Sequence, residues 1–469
     1  MKKFDSDIVI GLEIHVELDT ATKIFCSCPK KGRDTPNTRT CPVCLGMPGS
    51  KPVLNKKVVD YALKLCLALN CKIAPNLVFS RKSYFYPDMA KNYQISQYEI
   101  PLGEDGFLKI ANKKIGITRV HLEEDPASLV HPKGMASSPF VLVDYNRSGN
   151  PLAEIVTEPD FTSPDEARDF MKKLITILSY LEIFDVENGI IKADANISVR
   201  ESGYVRAEIK NVTGFKEIER ALVYEVERQK RDIKEGKKLV QETRAWDPDN
   251  GVTSTMRIKE TEADYGYIID PDLVMTEITT EWVKDILKDM PELAHEKVEK
   301  FIEKYKIDPI DAEVLAAEKE LAVIFEKVSV EIDPVLAARW LRRELVRVVN
   351  YNKQQIKDIK IDERHLIDLL RLVEGKKITD QTAQKILEKL IVEPFDVNAY
   401  VKREGLEAVS DSSELEKYCK EAIAENQKAV DEYKAGNEKA LHYLIGQVMR
   451  KTKGKATPKE VNEIMKKLI

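Results

Sequence analysis

The chain has 469 residues, 43% apolar and 33% charged, with a formal net charge of −5. That length suits two to four domains, because single cores usually split beyond ~250 residues. No apolar run nears the ~18 residues of a membrane helix, and the net negative charge excludes general adhesion to nucleic acid, leaving RNA to local patches.

The opening Met1-Lys2-Lys3-Phe4-Asp5-Ser6-Asp7 holds neither an apolar signal core nor an Arg-rich transit pattern. A cytoplasmic protein with no membrane partner is expected. From Ile8 to Leu18 every even position is apolar, which predicts a strand with one side in a core. Its odd side carries Glu13, His15 and Glu17. A solvent-facing strand side explains that row, and so does a cation held between the three groups. The row's acidity and lack of a basic member favour the cation.

Cys26-x-Cys28 and, twelve residues on, Cys41-Pro42-Val43-Cys44 are two short chelating pairs. They suit one structural Zn²⁺ closed on all four sides. A redox Cys-x-x-Cys is the rival reading, but it needs no second pair. Cys66, Cys71 and Cys419 lack ligand spacing and are expected as small buried apolar groups.

A helix is expected over 55–70. Between Arg81 and Tyr98, cations alternate with tyrosines, which suits an unstacked base or nucleotide with Lys82 on a phosphate. Core tyrosines beside surface lysines fit that stretch equally well. Thr118–Asp125 ends a strand in Glu123, Glu124 and Asp125, and Pro151–Val156 sets Glu154 alone in an apolar strand. Such a lone Glu points to function or metal ligation.

After a helix near 164–180, alternation returns at Lys192–Arg200. Ala193, Ala195, Ile197 and Val199 face one way; Lys192, Asp194, Asn196, Ser198 and Arg200 face the other. A turn at 201–204 and the alternating Arg206, Glu208 and Lys210 complete a hairpin. Oxygen ligands suit Mg²⁺, and Lys or Arg suits the phosphate oxygens it bridges. Cross-strand ion pairs are the even alternative. A helix over 216–236 reads as charged and mostly solvated. No Walker or Rossmann glycine loop is present.

From 291 to 396 the pattern is helical, in segments 311–327, 333–350, 362–372 and 380–390, each opening on an Asp suited to an N-cap. In the tail, Arg450, Lys451, Lys453 and Lys455 crowd a loop that fits either a phosphate-backbone contact or a solvated surface. Thr457-Pro458-Lys459-Glu460 then starts a last helix with a capping box. The expected fold is α+β: an antiparallel-sheet cradle domain at 1–290 with a four-cysteine zinc knuckle, a helical domain at 291–396, and a small helical tail domain at 397–469.

IGLEIHVEL, CPVCLGMPG, RKSYFYPD, KNYQISQY, ITRVHLEED, VDYNRSGNPLAEIV, KADANISVR and GFKEIERAL stand in this order. Together they resemble the B subunits (GatB) of the tRNA-dependent amidotransferases, closely over the first 290 residues and more loosely to the end. The resemblance implies an enzyme of three different chains using ATP and Mg²⁺. This one would phosphorylate the side-chain carboxylate of Glu or Asp mischarged on tRNA-Gln or tRNA-Asn. An amidase partner (the A subunit) would supply ammonia through a tunnel, and a small partner (the C subunit) would bridge the two. By resemblance, Glu13, His15, Glu124 and Glu154 are Mg²⁺ ligands, and Asp194, Asn196 and Glu208 complete the catalytic site. On charge, Lys82, Arg200 and Lys210 are assigned to phosphate, and Arg450, Lys451, Lys453 and Lys455 to tRNA. Two other classes stay open: a non-catalytic tRNA-binding scaffold and a standalone metal hydrolase.

Overall fold

In the computed structural model, which describes residues 4–32, 35–111, 113–134, 138–189, 191–258, 265–408, 412–452 and 455–469, the alternating N-terminal segment forms β1 (Ile8–Glu17). Ile10, Leu12, Ile14 and Val16 are sealed from solvent, while Glu13 and His15 on the other side are half-buried. Strands β2 (Lys72–Ile73), β3 (Ser80–Ser83), β4 (Tyr93–Ser96), β5 (Gly103–Ile110), β6 (Lys113–Glu124) and β7 (Pro151–Thr157) follow. Beyond them come β8 (Ile191–Val199), β9 (Ala207–Thr213), β10 (Glu242–Asp247), β11 (Val252–Ile258) and β12 (Ile268–Ile269).

The main sheet has nine strands in the order β11-β10-β9-β8-β1-β7-β6-β5-β2, with β1 in the middle; β12-β3-β4 form a smaller one. The fold is α+β, but the sheet is mixed where an antiparallel one was expected. Ala207 on β9 lies opposite Glu242 on β10 in a parallel pair. A parallel pair needs a long crossover, and here a helix supplies it. Helices α1 (Lys56–Ala68), α2 (Pro164–Leu181) and α3 (Phe215–Lys234) accompany these strands, the last being that crossover. α2 packs on α3, and α3 packs on β8 and β9.

α3 is less solvated than its composition implies, because Glu225, Arg228 and Gln229 are buried beside Ile218, Ala221 and Leu222. Arg228 donates to Glu225 and, at 3.2 Å, to Glu242. Arg244 of β10 donates to Glu242 at 2.9 Å, and Thr253 of β11 donates to Glu225 at 2.9 Å. The buried charges therefore neutralise one another and pin α3 to β10 and β11.

Contacts divide the chain into two compact units, Met1–Leu293 and Ala294–Ile469. In the second, buried apolar side chains form one cluster from Phe301 to Val401 and another from Leu415 to Met465. Asp333 and Asp362 cap their helices as expected, but the other two starts differ. Asp308 caps Pro309–Ala316, and Thr379 caps Asp380–Val392. Segment 311–327 breaks at Ala317, and a second helix runs Lys319–Val328. The terminal helix Pro458–Leu468 has Pro458 in its first turn and Thr457 accepting from the Glu460 N–H.

Candidate active site

Strand pairing sets the site. Residues directly opposite one another in a sheet share a face. Glu13 lies opposite Asp194 of β8, and His15 lies opposite Lys192 of β8 and Glu154 of β7. Glu154 in turn lies opposite His121 of β6, and Asn196 lies opposite Glu208 of β9. Five neighbouring strands thus present one polar face.

Two groups of donors converge there. His15, Glu123 and Glu154 bring ligand atoms within 4.8 Å of one another, and so do Glu13, Asp194 and Glu208. His15 Nε2 lies 3.6 Å from Glu123 and 3.4 Å from Glu154, and His121 Nε2 lies 3.3 Å from Glu154. Mg²⁺ prefers oxygen-rich octahedral sets at ~2.1 Å, which sets adjacent donors about 3.0 Å apart. The first group fits that demand with a small closure. In the second group Lys210 already bridges the carboxylates, 2.6 Å from Asp194 and 3.1 Å from Glu208. Asn196 donates to Glu13 at 3.4 Å, and Thr243 donates to Glu208 at 3.1 Å.

The charges are strongly coupled. Burial opposes a charge on His15, but the hydrogen bond and charge of Glu154, with Glu123 and Asp194, hold its pKa up to about 10. Burial first, and Glu154 next, push the Glu13 carboxyl above the usual range while Lys210 opposes them. Burial works against Glu154 as a carboxylate, yet His121 and His15 keep it well below that range. Burial also opposes the Lys82 charge, and Glu123, Tyr267, Glu154 and Tyr265 sustain it. Lys82, on β3, thus lies within electrostatic reach of the first group, with its ammonium 4.8 Å from the Tyr265 ring centre.

Glu13, His15, Glu154, Asp194, Asn196, Glu208, Lys82 and Lys210 share this site; two expected members do not. Glu124 lies on the other side of β6, where its carboxylate accepts from Lys91 and from the Ile95 N–H. Glu123 takes its place, because strand positions two apart share a face and His121 is on this one. Alternation over Arg119-Val120-His121-Leu122-Glu123 carries that signal in the sequence. Arg200 sits in the 3₁₀ turn after β8, where it binds the Asp5 carbonyl and lies 3.3 Å from Asp7. At ~3.3 Å per residue it is about 20 Å along the strand from Asp194. Lys210 is spent on two carboxylates. Glu17, also on the acidic row, is buried against Lys30 at 3.2 Å, so the row does find a basic partner, from outside its strand.

The four clustered cysteines converge with sulfurs within 4.8 Å. Cys44 accepts from the Cys41 N–H at 3.1 Å and is pulled down to about 5, first by the Cys26 thiol. Burial pushes Cys28 up to about 11. Four sulfurs packed this closely from two short chelating pairs are the donor set of a thiophilic cation, which would replace their protons. Cys66, Cys71 and Cys419 are buried and unbridged, as expected.

In the tail, Arg450 is exposed and Lys455 half-buried, but Lys451 is 2.6 Å from Glu425. Lys453 lies outside the described residues. No helix among the described residues is long and apolar enough to cross a membrane.

Comparison with known proteins matches residues 8–284 to the GatB/GatE catalytic domain and residues 323–469 to the GatB domain. The B subunit of the aspartyl/glutamyl-tRNA(Asn/Gln) amidotransferase of Carboxydothermus hydrogenoformans is 44% identical over 477 residues, covering 99% of both chains. The protein of that name from Thermodesulfovibrio yellowstonii is 45% identical over 475 residues, again covering 99% of both. That from Geotalea daltonii is 45% identical over 470 residues and 98% of both.

Proposed function

This chain belongs to the GatB/GatE family, and from that premise we propose that it is the B subunit of an aspartyl/glutamyl-tRNA amidotransferase and activates the mischarged amino acid with ATP. The observation that carries the reading is the convergence of His15, Glu123 and Glu154 beside Glu13, Asp194 and Glu208 on one sheet face. An oxygen of the amino acid's side-chain carboxylate attacks the γ-phosphorus, ADP leaves, and ammonia then displaces phosphate to give the amide.

His15, Glu123 and Glu154 would hold Mg²⁺, which supplies charge neutralisation for the transferred phosphoryl group. His121 fixes the direction of Glu154, and Asn196 that of Glu13. Lys82 presents a cation to the phosphoryl oxygens. Lys210 bridges Asp194 and Glu208, which keeps the second carboxylate group ordered. Ammonia comes from the amidase partner (the A subunit), with the small C subunit completing a cytoplasmic assembly. Assay of the reconstituted complex tests this: Glu-tRNA(Gln) and Asp-tRNA(Asn) are supplied separately, with and without ATP.

Cys26, Cys28, Cys41 and Cys44 are read as a structural zinc site. The purified protein is expected to contain about one zinc per chain, and Cys44→Ser to lose it together with local protease resistance at 26–50. Full metal content or unchanged resistance in that variant would contradict the site.

The tail is read as the tRNA-backbone contact. Arg450→Ala with Lys455→Ala is expected to flatten the dependence of log affinity on log salt by one to two contacts' worth, about 0.7–0.9 each. Lys451→Ala, its ammonium already shared with Glu425, should change the slope less. Slopes equal to wild type in both variants would remove the tail from the interface.

A further inference from the structure

Among the described residues, Arg119 of β6 makes none of the ion pairs that other arginines of its unit make. Arg81 reaches Asp270, Arg147 reaches Asp125, and Arg228 and Arg244 share Glu225. Arg119 stands two residues before His121 and shares its face, so their Cα atoms are about 7 Å apart. Its cross-strand partners are Val156 on β7 and Glu104 on β5. Glu104 is where a cross-strand carboxylate would ordinarily neutralise it, yet no such pair forms among the described residues. Arg119 Nε is sealed from solvent and has no hydrogen-bond acceptor.

The surroundings say what that guanidinium faces. Burial raises the pKa of the Tyr267 phenol, and the charges of Lys82, Glu154, Glu123 and Arg119 all reach it. Its ring is held by stacking on Tyr98 at 4.0 Å and 11°. Register places Arg119 on the sheet face of His121, Glu123 and Glu154, at the Val156 end of that row. A half-buried cation left unpaired beside metal-binding carboxylates is costly unless an anion from outside completes it.

We propose that Arg119 binds the phosphoryl group of ATP during carboxylate activation, a role that rests on the function proposed above. Its planar fork presents two parallel N–H groups to two phosphoryl oxygens in a fixed geometry, which the rotatable ammonium of Lys82 does not. The carboxylate oxygen of the charged amino acid bonds to the γ-phosphorus as the bond to the ADP oxygen breaks, and the electron pair leaves with ADP. The negative charge spread over the three equatorial oxygens in that step is what Arg119 meets. The phosphate arginine thus moves from Arg200, which is spent on Asp7 and the Asp5 carbonyl, to Arg119.

The test uses the full heterotrimer and measures kcat and KM for ATP and for mischarged tRNA separately. Arg119→Gln is expected to lower kcat/KM for ATP about 100-fold, while KM for mischarged tRNA and the melting temperature hold. Arg119→Lys should recover part of the loss by restoring charge without the fork. Added guanidinium ion should restore turnover to Arg119→Ala. The inference is overturned by ATP kinetics within about twofold of wild type, by a defect confined to the KM for tRNA, or by a loss that tracks melting temperature and resists guanidinium. Should the wild-type complex amidate without ATP, the functional reading itself falls, and this inference with it.

Discussion

Exchange of Glu154 for glutamine is expected to lower tRNA-dependent ATP turnover by more than about 100-fold while leaving glutamine hydrolysis by the partner amidase intact. Glu154 sits between His15 and His121, 3.4 and 3.3 Å away, and closes the donor group with Glu123. Loss of an outer-sphere partner of a metal ligand typically costs 10–100-fold, and Glu154 is proposed as a ligand itself. The amide of glutamine keeps the volume, so the strand pairing of β1, β7 and β6 should persist and the melting temperature should change little. Turnover within about tenfold of wild type would remove Glu154 from the metal set. Arg200→Gln provides the contrast: its guanidinium holds Asp5 and Asp7, so the ATP kinetics should hold.

Glu225→Ala is expected to destabilise the N-terminal unit by about 3–5 kcal/mol, because removing one partner of a buried network leaves charge uncompensated. Glu225 is fully buried and receives Arg228, Arg244, Gln229 and Thr253. With it gone, the carboxylates left to Arg228 and Arg244 among the described residues are Glu242 and the half-buried Asp232, although Thr253 and Thr255 still accept from Arg244. Urea unfolding monitored at Trp246, which packs near Tyr224 of α3, would report the loss. A change below about 1 kcal/mol would show that water compensates the arginines, and the network would then be dispensable.

The first strand was legible from its alternation, since Ile10, Leu12, Ile14 and Val16 could serve only a core. Its partners were not, because His15 meets Glu154 and Glu13 meets Asp194 through pairings of segments more than a hundred residues apart. The choice between Glu123 and Glu124 turned on phase. In β6 the buried apolar positions run Ile115 and Ile117, then Val120 and Leu122, with an irregularity in the pairing at Val156/Thr157 between them. That one-residue shift exchanges the faces of the strand. The alternation after it places Glu123, not Glu124, beside His121, and Arg119 joins them.

A similar irregularity between Ala193 and Ala195 sets Lys210 beside Asp194. Arg200 shows the opposite error: the alternating pattern extends one residue past a strand that ends at Val199. Composition misled for α3, where charged residues read as solvated are matched inside the fold by Arg244 and Glu242 from β10. It misled again at Lys451, whose partner Glu425 lies on another helix. The cysteine spacing, by contrast, was sufficient to bring four sulfurs together, because both chelating pairs are local in the chain.

The most direct test of the central claim is to count ADP against amide in the reconstituted complex supplied with Glu-tRNA(Gln) or Asp-tRNA(Asn), for wild type and Glu154→Gln. Equimolar ADP and amide are expected from the wild type, neither without mischarged tRNA, and both lowered more than about 100-fold in Glu154→Gln. Amide formed without ATP consumption, or ATP consumption untouched by Glu154→Gln, would contradict that claim.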